Sequence, residues 1–243
     1  IVLTTPVVRV LKKQLNAEVH FCTKPQFRPV LEENPYIDHI HTLEKGLFTL
    51  IGQLRKEKFD AIVDLHKSLR SRIMKLAFPF TRKLSFDKLN WAKWLLVNLK
   101  VNTLPNIHIV DRYLEAVKAL GAANDDEGLD YYIPYRDEVE NEWLPENFKN
   151  GYVVYAIGGK HYTKKLPLNR MIELCDRINK PVILLGDKND RPVGEQIVRF
   201  FKRSAYSAPL EPKLYEMNKK TTVYNACGQY NLNQSASLIK GAS

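Results

Sequence analysis

The order of apolar runs over residues 152–240 limits the fold more than any other feature. Short apolar runs rich in β-branched residues alternate there with longer runs that carry apolar residues every three to four positions. This pattern predicts strands at 152–156, 181–185 and 222–225, and helices at 168–178, 193–203 and 232–240. Strands and helices that alternate in this way form parallel sheets with right-handed crossovers.

The first 125 residues show the same alternation. We predict helices at 5–15, 47–57, 68–77, 91–98 and 108–120, and strands at 17–23, 37–43 and 59–65. Thr5-Pro6 is a typical helix start, and Gly121 is suited to closing the helix before it. The run 59–65 is too apolar for a solvated edge, so we expect it to lie centrally in a sheet.

The two regions of alternation predict an α/β protein with two doubly wound, Rossmann-like domains. A polar, acidic run at 122–130 separates them. We therefore place an N-terminal domain at 1–125, a linker region at 126–150 and a C-terminal domain at 151–243. Ligands bind beyond the carboxyl ends of parallel strands, so chemistry is expected in the loops after Leu65, Ala156, Leu185 and Asn225.

Composition narrows the class of partner without choosing one. The net charge of +10 favours an anionic partner, which could be nucleic acid, a phosphorylated glycolipid or the inner face of a membrane. No run approaches about 20 apolar residues, and no basic segment followed by an apolar run opens the chain, so we expect a cytoplasmic protein. The three cysteines lie far apart, which argues against a zinc knuckle or a disulfide framework and predicts small buried side chains.

The loop 157–167 is the strongest candidate for a binding site. It follows a predicted buried strand, precedes a helix, and combines Gly158 and Gly159 with Thr163, Lys164 and Lys165. Glycines allow close approach of the backbone, and lysines beside a helix start favour an anion, so the loop could hold a diphosphate. A solvated loop remains the alternative, and the Walker and dinucleotide-binding patterns are both absent.

Two further loops carry charged candidates. Asp187 and Asp190 follow the strand 181–185 and could accept hydrogen bonds from ribose hydroxyls, although Asp190 also suits the N-cap of the next helix. In the first half, basic and hydroxyl side chains crowd a predicted helix start, where a bound anion would offset their charge, with a solvated basic face as the alternative of at least equal weight. They are His66, Lys67, Ser68 and Arg70.

The sequence favours no metal site. His39 and His41 share one face of a predicted strand, but no third ligand is evident nearby, so an exposed pair is the better interpretation. There is also no Asp-x-Asp motif to place a divalent ion on a nucleotide diphosphate.

Several segments, taken in order, resemble glycosyltransferase family 9, the lipopolysaccharide heptosyltransferases. They are 1–9, 60–70, 108–121, 164–167 and 225–228 with the helix that follows. The resemblance implies a GT-B fold with an N-terminal acceptor domain and a C-terminal nucleotide-sugar domain. It also implies inverting transfer without a metal or cofactor, with an aspartate as general base.

The resemblance assigns roles to single residues. Lys164 matches the lysine that meets the diphosphate, and Asp190, ahead of Asp187, matches the ribose contact. Thr4 and Thr5 fall on the acceptor side with the residues of the 66–70 loop. The catalytic aspartate belongs to a Gly-Asp pair expected just before Ile1, with the first strand of that domain. A donor motif, Asp-(Ser/Thr)-Gly-x-x-His, is expected after Ser243, so residues 1–243 alone should be inactive.

The leading hypothesis is transfer of heptose, or a related sugar, from an ADP-linked donor to a lipopolysaccharide core or similar anionic glycan. The basic charge fits an acceptor reached peripherally at the cytoplasmic membrane face. A donor carrying UDP or another nucleotide is the alternative within the same fold. A non-enzymatic nucleic-acid or polyanion binder ranks lower, since the chain has no nucleic-acid-binding motif or basic tail.

Overall fold

The computed structural model describes residues 1–204 and 220–243. The chain divides into two compact units, Ile1–Tyr132 and Ile133–Ser243. Each unit combines helices with parallel strands, as the sequence predicts for an α/β protein. The predicted linker 126–150 falls across the division between the two units.

The first unit contains two separate two-stranded parallel ladders. Strand β1 pairs with β2, and β3 pairs with β4. The strands are β1 (His20–Thr23), β2 (His39–Thr42), β3 (Ala61–Asp64) and β4 (Arg82–Ser85), and the helices are α1 (Thr5–Leu15), α2 (Leu47–Leu54), α3 (Leu69–Leu76), α4 (Asn90–Trp94) and α5 (Ile109–Glu115).

Three details of the first unit differ from the predictions. In the described part of the chain β3 pairs with β4 alone, so its predicted central position is wrong, and its first three residues are only half-buried. Strand β4 was not predicted, because only Leu84 of its four residues is buried. The predicted helix 108–120 divides into α5 and a 3-10 turn, although Gly121 closes it with a φ of 95° as expected.

The second unit contains a three-stranded parallel sheet in the order β5-β6-β7, and the predicted strands and helices are all present. The strands are β5 (Val153–Ala156), β6 (Val182–Leu185) and β7 (Val223–Asn225), and the helices are α6 (Leu168–Ile178), α7 (Arg191–Ser204) and α8 (Leu232–Lys240).

Strand β6 forms the centre of this unit. Val182 and Leu184 pack into a cluster with residues of α6 and α7, whereas Ile183 and Leu185 pack on the opposite face with Tyr152. All four residues of β6 are buried, as expected for the middle strand of a parallel sheet. The central strand is therefore packed on both faces up to its carboxyl end.

A buried arginine holds the end of the first unit in place. The Arg9 side chain on α1 is 1% exposed and binds Asp125 and Asp130, with Nη2 2.8 Å from Asp125 Oδ1 and Nη1 2.5 Å from Asp130 Oδ2. Hydrogen bonds to Arg9 outweigh burial and lower the pKa of Asp125. The acidic run before position 131 is therefore anchored to α1.

The cysteines follow the prediction in part. Cys175 and Cys227 are buried among the apolar residues of the second unit. Cys22 is exposed on strand β1, so the expectation of burial is wrong there.

Candidate functional site

The carboxyl end of the β5-β6-β7 sheet brings three loops together. Ala156 pairs with Leu185 in the register, and Leu184 pairs with Asn225, so the three strands end at one edge. The Gly228 N–H then donates to the Gly186 carbonyl over 3.0 Å, which ties the loop after β7 to the loop after β6. This is the edge at which the sequence predicts a ligand site.

Asp190 and Lys165 form an ion pair that joins the first two of these loops. Lys165 Nζ lies 2.6 Å from Asp190 Oδ1, and the two side chains are 33% and 6% exposed. Asp190 Oδ2 also accepts the backbone N–H of Asp187 over 3.1 Å. Burial alone would raise the pKa of Asp190, but Lys165 and that N–H outweigh it and lower the pKa below its usual value.

Glycines let Asp190 occupy this position. A Cβ on Gly158 would lie 2.5 Å from Asp190 Oδ2, and one on Gly186 would lie 2.8 Å from Asp190 Cβ. Both distances are shorter than real contacts, so the loops after β5 and β6 need glycine where they pass Asp190. Gly158, which the sequence analysis assigned to close approach of a ligand, is therefore also required for packing.

Lys164 differs from Lys165 in its surroundings. It lies in a 3-10 turn, Tyr162–Lys164, and is exposed together with Thr163. Within residues 1–204 and 220–243, no hydrogen bond or ion pair engages the Lys164 ammonium group. Gly159 belongs to the same loop, and a Cβ added there would lie 3.3 Å from Lys165 Cγ. The ammonium group of Lys164 is thus accessible to an incoming anion.

Asp187 is exposed and organises the start of the loop after β6. Its Oδ1 accepts the backbone N–H of Asn189 over 2.7 Å and that of Asp190 over 3.2 Å. Asp190 directly precedes α7, in the N-cap position that the sequence suggested. The two aspartates therefore stabilise each other's turn, with Asp187 facing solvent and Asp190 buried.

Asn225 is a structural member of this edge that the sequence analysis missed. Its Nδ2 donates to Glu195 Oε1 over 2.9 Å, and its Oδ1 accepts the Cys227 N–H over 3.2 Å. A Cβ on Gly194 would lie 2.3 Å from Asn225 Oδ1, so α7 can pack here only with glycine. The sequence signal that could have identified Asn225 is a polar residue at the end of an otherwise apolar strand, because buried polar groups need hydrogen-bond partners.

In the first unit, Asp64 holds the loop that the sequence marked as basic. Its Oδ1 accepts the backbone N–H groups of His66 and Lys67 at 3.0 and 2.7 Å. Lys75 Nζ lies 2.9 Å from Asp64 Oδ2, an ion pair without good hydrogen-bond alignment. Burial raises the pKa of Asp64, but the Lys67 N–H and Lys75 outweigh it and lower the pKa.

The other residues of this loop have separate positions. Ser68 caps α3 and forms a reciprocal capping box with Ser71. Lys67 adopts a φ of 48°, and Lys88 Nζ donates to its carbonyl over 3.0 Å. His66 and Arg70 are exposed beside them. The loop thus presents basic side chains from a backbone that Asp64 fixes.

Thr4 and Thr5 are engaged by the backbone. Thr4 Oγ1 donates to the Ile1 carbonyl over 2.7 Å. Thr5 is buried, and its Oγ1 donates to the Val2 carbonyl and accepts the Asp130 N–H, both over 2.9 Å. The Thr5 hydroxyl therefore stabilises the start of α1 and the anchored acidic run.

Histidines converge on the β1-β2 ladder, where the sequence analysis found no third ligand beside His39 and His41. His20 and Glu18 join them, and one ligand atom each from Glu18, His20 and His39 lies within 4.8 Å of the other two. The expectation of a plain exposed pair is therefore wrong. The partners come from a segment 21 residues earlier, which the ladder brings into register.

None of the described helices is both long and apolar enough to cross a membrane. The short helix α4 nevertheless exposes Trp91 and Trp94, whose rings stack with centroids 5.2 Å apart. Val97 and Leu99, in the π-helical segment Leu95–Leu99 that directly continues α4, are exposed as well.

Comparison with known proteins gives consistent matches. The family model for glycosyltransferase family 9 (heptosyltransferase) matches residues 47–243. The lipopolysaccharide core heptosyltransferase OpsX of Haemophilus influenzae is 22% identical over an alignment 162 residues long, which covers 55% of this chain and 46% of that protein. The chain thus spans less than half the length of this curated relative.

Two solved structures share the fold. A family 9 glycosyl transferase from Veillonella parvula aligns with a TM-score of 0.72 and 18% identity, over 99% of this chain and 70% of that one. The ADP-heptose lps heptosyltransferase II of E. coli aligns with a TM-score of 0.69 and 16% identity, over 99% of this chain and 73% of that one. These likenesses show the α/β fold with parallel strands.

Proposed function

The chain belongs to glycosyltransferase family 9, the heptosyltransferase family, and from this membership we propose that it transfers heptose or a related sugar from a nucleotide-linked donor to a lipopolysaccharide core or similar surface glycan. The single observation that carries the proposal is the match of the family model over residues 47–243. The relative from H. influenzae, a lipopolysaccharide core heptosyltransferase, supports the same class of acceptor.

We place the donor at the carboxyl edge of the β5-β6-β7 sheet. The accessible Lys164 ammonium group would bind the diphosphate, and Gly158, Gly159 and Thr163 would form the loop around it. A leaving diphosphate gains negative charge as the sugar departs, so a cation in this position stabilises the transition state. Lys165 would support the loop through its pair with Asp190.

The proposed reaction inverts the anomeric carbon without a metal ion. The acceptor hydroxyl attacks that carbon, a general base takes its proton, and the nucleoside diphosphate leaves. Asp187 and Asp190 are proposed to lie beside the ribose, with Asp187 the more exposed of the two.

Nucleotide binding tests the donor site directly. We expect ADP to bind more tightly than UDP or GDP in calorimetric titrations, and the reverse order would favour the alternative donor. Lys164→Ala should weaken every diphosphate ligand by about 1.5–3 kcal/mol, as for loss of a charge-assisted hydrogen bond. Lys180→Ala is the matched control, because this exposed lysine precedes β6 at the opposite end of the sheet. Equal affinity of Lys164→Ala and the unchanged protein would remove Lys164 from the site.

For the acceptor we propose an anionic glycolipid reached from the cytoplasmic membrane face. Basic and hydroxyl side chains around the β3 loop are its proposed contacts, with the chain's N-terminal segment beside them. They are His66, Lys67, Ser68, Arg70 and Thr4, whereas Thr5, whose buried hydroxyl is engaged by the backbone, would hold the start of α1 in place. The net charge of +10 favours such a surface.

Helix α4 supports peripheral contact with the membrane. Trp91 and Trp94 are 71% and 47% exposed, Lys93 lies between them in the sequence, and Lys100 follows at the end of the helical segment. Aromatic and basic side chains on a short amphipathic segment are typical of membrane-surface binding. Co-sedimentation with vesicles rich in anionic lipid should be lost in the Trp91→Ser/Trp94→Ser double variant. Trp143→Ser, which changes an exposed tryptophan in the second unit, should leave it intact; equal binding by all three proteins would refute this contact.

A further inference from the structure

The β1-β2 ladder collects four side chains with metal-binding chemistry on one face. His20 pairs with His39 in the register, and Cys22 pairs with His41. Residues two apart on a strand point to the same face, and paired residues on neighbouring strands lie side by side. His20, Cys22, His39 and His41 therefore share a face, and Glu18 approaches it from the segment before β1.

Two of the distances within this group are close to those between ligands of one ion, and all three ligand atoms lie within 4.8 Å of one another. Glu18 Oε1 lies 3.0 Å from His39 Nε2 and 3.3 Å from His20 Nε2. Nitrogen and oxygen ligands lie about 2.0–2.2 Å from Zn²⁺, so two tetrahedral ligands are separated by about 3.3–3.5 Å. Two imidazole nitrogens thus already face a single carboxylate oxygen at nearly this spacing.

His41 occupies the position of a supporting residue. Its Nε2 lies 2.9 Å from His20 Nδ1. If His20 Nε2 binds a metal, Nδ1 carries the proton and donates it in this hydrogen bond, which fixes the tautomer and the ring orientation. Phe59 packs edge-on against the same ring, with centroids 5.0 Å apart, and the His20 side chain is 10% exposed. His20 is thus held in place before any ion arrives.

We propose that Glu18, His20 and His39 bind one divalent transition-metal ion, with Zn²⁺ the best match to the donor set, and that His41 orients His20 from behind. Two imidazoles and a carboxylate are a common zinc ligand set, and a fourth position facing solvent is open to water. Glu18 and His39 are 68% and 53% exposed, so an ion can enter from solution. The ion would link the segment before β1 to β2. This site is independent of the proposed sugar transfer.

Metal titration of the tag-free protein tests this site. We expect Zn²⁺ to bind with one ion per chain in calorimetry. Co²⁺ should give the visible absorption of a four-coordinate ion, which Zn²⁺ then displaces. No one-to-one binding, or a Co²⁺ spectrum of the hexaaqua type, would overturn the proposal.

Variants locate the ion. His39→Ala and Glu18→Gln, both at exposed positions, should abolish binding or weaken it by more than about 100-fold, whereas His41→Ala should weaken it by about 10- to 100-fold. His161→Ala, an exposed histidine in the second unit, is the matched control and should bind as the unchanged protein does. Circular dichroism without metal confirms that each variant is folded. Unchanged affinity in both His39→Ala and Glu18→Gln would place the ion elsewhere and refute the site.

Discussion

Replacing Lys165 by alanine should lower stability, whereas replacing its neighbour Lys164 should weaken ligand binding with little change in stability. Lys165 pairs with a buried carboxylate, so Lys165→Ala leaves Asp190 without its cation. An unpaired buried polar group costs about 1–3 kcal/mol, and the partial exposure of Lys165 places the loss at the lower end of that range. Lys164 is exposed, so Lys164→Ala should change stability by less than about 0.5 kcal/mol while lowering the affinity for ADP.

The pH dependence follows from the lowered pKa of Asp190. A carboxyl whose folded pKa is depressed contributes stability above its unfolded value of about 3.9, and that stability is lost as the pH falls through the folded pKa. Without Lys165 the pKa of Asp190 should rise. The destabilisation by Lys165→Ala should therefore be largest at neutral pH and shrink as acid protonates Asp190.

Urea unfolding can follow the second unit alone. Trp143 becomes the sole tryptophan reporter when Trp91 and Trp94 are changed to phenylalanine, since the chain has three tryptophans. Asp190→Asn in the Lys165→Ala background removes the unpaired charge and should restore part of the loss. Equal stability of Lys165→Ala and the parent at neutral pH would refute the role given to this ion pair.

Two further changes test the packing. Arg9→Met should destabilise the first unit by about 3–5 kcal/mol, because it leaves the carboxylates of Asp125 and Asp130 without their cation. Thermal unfolding measures this loss, and a loss below about 1 kcal/mol would contradict the role given to Arg9. Gly194→Ala should cost about 1–3 kcal/mol, because the new Cβ would overlap Asn225. Gly52→Ala in α2, where a Cβ meets nothing within 4 Å, should instead stabilise by about 0.5–1 kcal/mol, and equal effects of the two would refute the overlap.

Local pattern predicted much of the fold because the elements concerned have one clearly apolar face or are apolar throughout. Helices α6 and α8 have the predicted bounds, and the buried strand β6 was predicted one residue too long. Strand β4 was missed because Arg82, Lys83 and Ser85 hide its single buried leucine. The residues of β3 likewise look central by composition, and only the ladder itself shows which neighbours they have.

The sequence predicts which loops form the candidate site, but it does not predict which side chains pair within it. The alternation of strands and helices located the loops at the sheet edge. The pairing of Lys165 with Asp190 spans 25 residues, and that of Arg9 with Asp125 spans 116, so no local pattern reports either. The histidine cluster is of the same kind, since register places His20 beside His39.

The buried polar side chains at the sheet edge determine which of the two lysines, Lys164 or Lys165, is free to bind an anion. Asp190 and Asn225 hold the loops after β5, β6 and β7 through contacts with Lys165, Glu195 and backbone N–H groups. An anion that recruited Lys165 would break a 2.6 Å pair and leave a carboxylate buried without its cation. An anion that meets Lys164 breaks no such pair. The buried pair therefore fixes the loop, and its exposed neighbour Lys164 is the cation that we propose for the diphosphate.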